Sequence, residues 1–443
     1  MIEILFKEHI TALRGVVDSA RRERAQVKKD YYEGKFIDYK GEILGNHFKN
    51  ADRIAPSFEY LNILEYFINK RARILKRGVD IRLEKSDEIF SKWATDYSII
   101  AKLKQFERYV ELLGMVAIRF FKDNGEVNFE MITPNRFYVA TDPDDSLKPV
   151  LFIWQRQNYT EIVPQEIQYY AYDSENFYIL NESGQVLSSE PHGYGVIPVV
   201  FMYSKYRSDE FYVESDEDLR IAQDNIAVWL TSINYLAKYQ AFSQPVAKGL
   251  PENISIATDP STIIRIPMIP EMNTFGDFEF RTPDSKIGEL WNTLISKIRA
   301  LGGRYEVNVN ELIKDVQQKS GIAYEWENLQ VMESREDREE LWRDNIKRFV
   351  RMYLRLKSQL NPAIDPAQAI TIDFPDIKLI DDPEKEMNRW LVLISRNVRN
   401  VLDWIISDNP DIKTYDEALR IYNENKKFNE TIAAEIPSDD DEG

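Results

Sequence analysis

The stretch Glu214–Ser243, ESDEDLRIAQDNIAVWLTSINYLAKYQAFS, constrains the fold of this chain more than any other. It predicts one uninterrupted helix of thirty residues, roughly 45 Å long at 1.5 Å per residue. Ser215 is placed to cap it, and Asp216, Glu217 and Asp218 crowd the first turn, where the helix dipole favours negative charge. Leu219, Ala222, Ile226, Trp229, Ile233 and Leu236 recur every three or four residues. Such a narrow apolar seam packs against one neighbouring helix. A partner follows. Thr282 and Pro283 open a second helix, with proline at its first position. Ile287, Leu290, Leu294, Ile298 and Leu301 form its seam, Trp291 joins the packing set, and Gly302-Gly303 closes it. Two seamed helices thus flank a Pro-rich excursion, and the rest of the chain is placed around that hairpin.

A length of 443 residues allows two to four domains and a large core. A formal charge of −17 argues against a protein that coats nucleic acid, because such proteins present net basic surfaces. Cysteine is absent, which excludes disulfides, thiolate zinc sites and cysteine nucleophiles. The three histidines, His9, His47 and His192, are too scattered for a histidine metal triad. MIEILFKEHI lacks the form of a signal peptide, and the longest apolar runs are far below a membrane span. These features predict a soluble chain made in the cytoplasm.

Residues 3–34 read as a charged helix whose RRERAQVKKDYY run forms a solvated side or a weak basic surface. Residues 56–76 form a second amphipathic helix, and two more lie between Ser86 and Leu113, ending near Gly114. From Val116 the runs VAIRFF, VNFEMI, RFYVAT, PVLFIWQR, IQYYAY and NFYILN alternate with the turn signals DNG, TDPDD and NESG. They predict one antiparallel sheet of about six to eight strands, ending at PHGYGVIPVVFM. Asp142, Asp144 and Asp145 read as a loop, since the EF-hand pattern is not met. Between the seamed helices, STIIRIP and DFEF suggest a small β-containing lobe. A helix over Met332–Leu360, with Ser334 near its start, carries Leu341, Ile346, Phe349, Tyr353, Leu356 and Leu360 on one face. Its stripe Arg343, Lys347, Arg351 and Arg355 suits either a phosphate backbone or a solvated face with ion pairs to other subunits. ITIDFP is a further strand, helices follow over Pro383–Ile406 and Thr414–Asn429, and PSDDDEG has the composition of a disordered acidic end.

No phosphate-binding glycine loop, GxSxG or HExxH occurs. Pro375-Asp376 with Asp411-Ile412-Lys413 loosely resembles the acidic-plus-lysine pattern of magnesium nucleases, but the stretch between them reads as helical, whereas such a site needs adjacent strands. No enzyme activity, metal or cofactor is expected.

The order of parts resembles the portal, or head-to-tail connector, proteins of tailed bacteriophages. Gly195–Val200 is similar to the family's Gly-x-Ile-Pro-Val-Val strand, Ser215–Leu219 to its Ser-Asp-x-acid-Leu helix start, and Pro245–Gly249 to its Pro-x-x-x-Gly exit. Ser320–Ala323 resembles the Ser-Gly-Ile-Ala segment, with Tyr324 where an aliphatic residue is more usual. FPDIKLIDDPEKEMNRWLVLI resembles the strand, acidic loop and helix that lead on toward the crown. The likeness runs from about Pro56 to Asn429.

That resemblance implies an α+β fold with a mixed helix and sheet wing, long stem helices, a small β-containing clip and a helical crown. The implied boundaries are an N-terminal helical segment at 1–55, wing 56–213, stem 214–243, clip 244–282, second stem helix 283–301, tunnel-loop region 302–322, long wing helix and strand 323–382, crown 383–430 and acidic tail 431–443. It implies a non-enzymatic homododecameric ring at one capsid vertex of the virion, assembled in the host cytoplasm without a membrane. Double-stranded DNA would pass through it during packaging and ejection without sequence readout. Partners would be the terminase large subunit, major capsid and scaffolding proteins, and head-completion or adaptor proteins. The tunnel loop would present Arg304, Tyr305, Glu306, Asn308, Asn310, Lys314, Gln317, Gln318 and Lys319 to the channel, and the clip would dock partners through Glu252, Asn253, Met268, Met272 and Phe275. A structural adaptor that forms no channel is the alternative, and a metal-dependent nuclease a third.

Overall fold

Val16–Tyr32 forms helix α1, and two of its basic residues, Arg21 and Lys28, are buried. The computed structural model describes residue 6 and residues 16–156, 168–240, 244–250, 264–267, 277–281, 286–310, 312–313, 321–375, 383–409, 412 and 414–435. Arg21, Ala25, Lys28 and Tyr31 recur at helical spacing, and all four are buried. Arg21 donates to the carbonyls of Pro134 (3.4 Å) and Phe137 (3.3 Å), and its guanidinium lies 3.9 Å from the centre of the Tyr212 ring. RRERAQVKKDYY is therefore not simply a solvated side. A buried cation persists where the Asp18 carboxylate one turn back (2.5 Å), carbonyls and a ring face replace its water.

After short helices at Lys40–His47 and Ala51–Ile54, the helix expected over 56–76, α2, covers only Ile63–Arg71. Asn62 caps it, its side chain accepting from the Glu65 amide at 3.1 Å, and residues 58–62 lie outside any helix. Strand β1 (Asp80–Leu83) follows, then helices α3 (Asp87–Asp96) and α4 (Ile99–Leu113), as expected. Gly114 ends α4 at φ 88°, and a Cβ there would sit 2.4 Å from the Val213 carbonyl oxygen. That position admits glycine alone.

Eight strands succeed it: β2 (Met115–Asp123), β3 (Glu126–Ile132), β4 (Phe137–Asp142), β5 (Asp145–Gln155), β6 (Tyr169–Tyr172), β7 (Asn176–Leu180), β8 (Val186–Pro191) and β9 (Val199–Tyr203). They make two antiparallel sheets, β3-β2-β9 and β4-β5-β6-β7-β8, where the sequence suggested one. Asp123 pairs with Glu126 across Asn124 (φ 50°) and Gly125 (φ 80°), the two-residue hairpin that DNG predicts. Strand β2 is apolar on both faces. Val116, Ile118 and Phe120 enter one core, while Met115 and Ala117 meet Phe137, Phe152 and Phe201 in another. The second core explains the division, because the two sheets bury aromatic faces against each other.

Helix α5 (Asp218–Gln240) is shorter than the expected thirty residues. Beyond it β10 (Gln244–Leu250) lies between β11 (Ile264–Pro267), parallel to it, and β12 (Asp277–Arg281), antiparallel to it. Helix α6 (Ile287–Arg304) runs through Gly302 and Gly303 instead of stopping there. Thr282 and Pro283 lie outside the described residues. Helix α7 (Gly321–Leu360) is 40 residues long, begins before the expected Met332 and takes the KSGIAYEWEN segment into its first turns from Gly321. Its expected apolar face holds for Leu341, Ile346, Phe349, Tyr353 and Leu356, while Leu360 is exposed. The Trp93 ring stacks on Tyr353 at 3.9 Å between centres, and its indole N–H donates to the Val127 carbonyl at 2.8 Å. Strand β13 (Ile370–Asp373) pairs antiparallel with β1.

All of this except the start of α7 forms one compact unit, Met1–Gln318 with Glu327–Pro375. The second unit is Lys319–Trp326 with Asp376–Gly443. Among its described residues from 383 on, three helices stand where two were expected: α8 (Pro383–Ser395), α9 (Val401–Asp408) and α10 (Tyr415–Glu435). Asn397 at φ 55° breaks the first from the second, and Asn400 opens α9 with a reciprocal capping box to Asp403. Trp390 and Trp404 stack across that break, 5.8 Å apart. The fold class is α+β.

Candidate functional site

Helices α5 and α6 pack along the predicted seams. Leu219, Ile226, Leu294 and Ile298 are buried in one core, with Trp229 and Ile233 packed against it. Leu236, Ile287 and Leu290 are half-buried, and Trp291 is 47% exposed. The Lys297 ammonium lies 4.9 Å from the centre of the Trp229 ring, across the pair. The seams thus bring the two helices together at one end and leave apolar surface open along the rest.

A second stripe of α5 does work that the apolar pattern hides. Gln223, Ala227, Thr231, Asn234 and Lys238 recur at spacings of four, four, three and four. The side chain of Gln223, 1% exposed, accepts from the amides of Ile63 (2.7 Å) and Leu64 (3.1 Å) and donates to the Leu61 carbonyl (2.7 Å). It satisfies the open N–H groups at the start of α2 from outside that helix. Thr231 exchanges hydrogen bonds with the amide and carbonyl of Glu59, Asn234 donates to the Ser57 carbonyl (3.0 Å), and Lys238 to that of Pro56 (3.2 Å). Residues 56–64 are therefore held by α5, which is why the helix begins only at Ile63. The signal was present as small and amide side chains at helical spacing.

The start of α5 is an ionic knot. Ser215 does not cap it: the hydroxyl donates to the Leu112 carbonyl at 2.6 Å and accepts from the Lys28 ammonium at 3.0 Å. Lys28 also reaches Glu217 at 2.7 Å. Burial pushes the Glu217 carboxyl up, but Lys28 and Arg220 outweigh it and hold the group below its ordinary value. At Asp224 burial wins, and the carboxyl stays raised despite the Tyr31 hydroxyl (2.8 Å) and Arg220 (2.9 Å). A cavity of about 470 Å³ beside the knot is lined by Arg71, Glu111, Asp216 and Tyr305 among others, a mixture whose charges answer one another.

Residues 304–310, expected to hang into a channel, close the hairpin instead. Arg304 forms an ion pair with Asp218, and the buried Tyr305 hydroxyl donates to Asp216 at 2.8 Å. Burial, then the Asp216 carboxylate, raises the Tyr305 phenol. Val307 and Val309 are buried, the Asn308 carbonyl accepts from Tyr66, and the Asn308 side chain accepts from the Asn310 amide. Glu306 has φ 54°. Gly302 permits this return: a Cβ there would stand 2.8 Å from the Val307 carbonyl oxygen and 2.9 Å from Val309. Tyr305 is thus a core residue, and Arg304 is not a free cation for phosphate. Lys314, Gln317, Gln318 and Lys319 lie outside the described residues, as do Glu252, Asn253, Met268, Met272 and Phe275, and the carboxylates Asp376 and Asp411.

On α7, Arg343, Arg351 and Arg355 donate to the chain's own carbonyls, of Ile372, of Pro366 and Gln368, and of Gly195. Among the described residues no cluster of three His, Cys, Asp or Glu could hold a metal, and no helix is long and apolar enough to cross a membrane.

A family model described as "Phage portal protein, SPP1 Gp6-like" matches residues 17–391. Among solved structures the chain is similar to one from the "Virion of native gene transfer agent (GTA) particle", at 10% identity and TM-score 0.39, covering 79% of this chain and 90% of that one. It is also similar to one from the "Neck of empty GTA particle computed with C6 symmetry", at 11% identity and TM-score 0.38, covering 84% and 93%. No curated protein sequence matches it.

Proposed function

This chain belongs to the family of phage portal proteins of the SPP1 Gp6-like kind, and on that premise we propose that copies of it close into a ring whose bore passes duplex DNA into and out of a capsid. The observation that carries the proposal is the α5/α6 hairpin. Its seam is buried near the ionic knot, yet farther along Leu236, Ile287 and Leu290 are only half-buried and Trp291 is 47% exposed. In a ring the neighbouring copy would cover this open stretch of seam. The three-stranded sheet β11-β10-β12 between the two helices is the proposed docking lobe for the terminase and later for head-completion proteins.

Charge supports a conduit over a coat. Twelve copies at −17 would carry about −204, and a bore lined with carboxylates repels the phosphates it surrounds. DNA then slides, because each contact that would hold it is weak. The segment left to narrow the bore is 314–320, since 304–310 is committed to the core.

The deciding experiment is native mass spectrometry of the purified chain, with single-particle class averages. A closed ring of about twelve copies, with a hole wide enough for duplex DNA, is the expected result. An assembly with no central hole, in the presence of the other capsid components, would overturn the proposal in favour of an adaptor role.

A further inference from the structure

Four guanidiniums gather on one side of α7 without a carboxylate to pair with among the described residues. Arg207 donates to the Leu147 carbonyl (3.0 Å), Arg348 to the Asn345 side chain (2.7 Å), Arg351 to Pro366 and Gln368, and Arg355 to Gly195. All of these acceptors are neutral. Lys205 and Lys347 stand beside them, exposed and bonded to no described residue. Opposing charge at this place comes from Asp344, which accepts from the Tyr206 hydroxyl (3.0 Å) and faces Arg348, and from Glu340 near Tyr206, fewer than the six cations gathered there.

The surface they border is a groove, not a flat basic face. Two adjoining depressions of about 270 and 350 Å³ share Leu147, Tyr203, Arg207 and Arg348. Pro149, Val199, Phe201 and Met352 complete an apolar floor. Tyr203 lies beneath both arginines, 4.5 Å from Arg207 and 5.6 Å from Arg348, ring centre to guanidinium carbon. Its buried hydroxyl has no hydrogen-bond partner among the described residues. Burial lowers the Arg348 pKa and Arg207 adds to it, while Tyr203 and the Asp344 carboxylate offset the shift only in part.

We propose that this groove docks an acidic peptide segment of another protein, with carboxylates against Arg207, Arg348 and Lys347 and an aliphatic or aromatic side chain on the Leu147–Phe201 floor. The site is unrelated to the α5/α6 hairpin and does not depend on the ring. The floor separates a peptide from nucleic acid, because a phosphate backbone has nothing apolar to place on Leu147, Pro149 and Phe201. The fence separates it from a plain apolar ligand, because guanidiniums favour planar carboxylates bidentately.

The test uses the full chain and a fluorescein-labelled peptide of alternating Asp/Glu and Leu/Phe, read by fluorescence anisotropy at 150 mM salt. Lys205→Glu with Lys347→Glu is expected to weaken binding at least tenfold while leaving the melting curve unchanged, since neither lysine is bonded to a described residue. Leu147→Ala is expected to weaken the peptide several-fold and to leave binding of poly-aspartate unchanged. Displacement of the peptide by a 20-base-pair duplex would overturn the proposal in favour of phosphate. Self-association lost in the Lys205→Glu/Lys347→Glu variant would overturn it in favour of a second copy. Peptide binding that is absent, or indifferent to both sets of changes, would also overturn it.

Discussion

Gln223 offers the sharpest test of how α5 is anchored. Its side chain is 1% exposed and holds two amides and one carbonyl at the start of α2. Gln223→Leu keeps nearly the same volume, so the cavity contribution is small. What changes is that two N–H groups and one C=O lose their partners where water cannot replace them. At roughly 1 kcal/mol or more for each orphaned group, the local cost is about 3 kcal/mol. Amide hydrogen exchange at Ile63 and Leu64 reads that cost directly, and 3 kcal/mol corresponds to roughly 100-fold faster exchange. Gln223→Glu should fall between, because a carboxylate still accepts both amides but opposes the Leu61 carbonyl. Protection of Ile63 and Leu64 within threefold of the parent in Gln223→Leu would refute the reasoning, showing that those amides draw their protection from elsewhere.

Other consequences can be measured in the same way. Gly302→Ala forces a Cβ against the Val307 carbonyl oxygen and should cost about 1–3 kcal/mol, seen as loss of Tyr305 burial in fluorescence quenching. Glu107, 1% exposed and bonded to the amides of Ile74 and Leu75, is pushed up to about 7 by burial. Since the folded value exceeds the unfolded one, its contribution is full below about pH 4.5 and is lost as pH rises through 7. The melting temperature of the parent relative to Glu107→Gln should therefore fall between pH 5 and 8, and a flat difference would contradict it. Trp291→Ala should leave the melting curve within about 0.5 kcal/mol of the parent while weakening ring assembly in native mass spectrometry. Deleting residues 315–318 should preserve rings and impair DNA retention, whereas loss of rings would make that segment structural.

Elements set by local pattern were legible in the sequence. The α5 seam, the inward face of α7 from Leu341 to Leu356 and the Asp123-Asn124-Gly125 turn all follow from periodicity or from residues that accept positive φ. The division into two sheets was not, because β9 returns from far along the chain to pair with β2. The start of α2 was readable from Asn62 and Glu65, yet the apolar periodicity beginning at Pro56 obscured it. Residues 304–310 read as an exposed loop because they are polar. Their burial depends on Asp216, Asp218 and Tyr66, which no local pattern reveals. Arg21 and Lys28 misled for the same reason: a charged residue reads as exposed until its partner is in hand.

The reach from Lys28 to Ser215 spans 187 positions of chain. On a ribosome adding about 5–20 residues each second, Lys28 waits roughly ten to forty seconds before Ser215 and Glu217 are made. Lys28 is therefore made well before the last partners it acquires. Until then Lys28 lacks Ser215 and Glu217, whereas the partners of Arg21, Asp18 and the Pro134 and Phe137 carbonyls, are already in the chain. The base of the α5/α6 hairpin is thus closed by an ammonium supplied from far earlier in the chain.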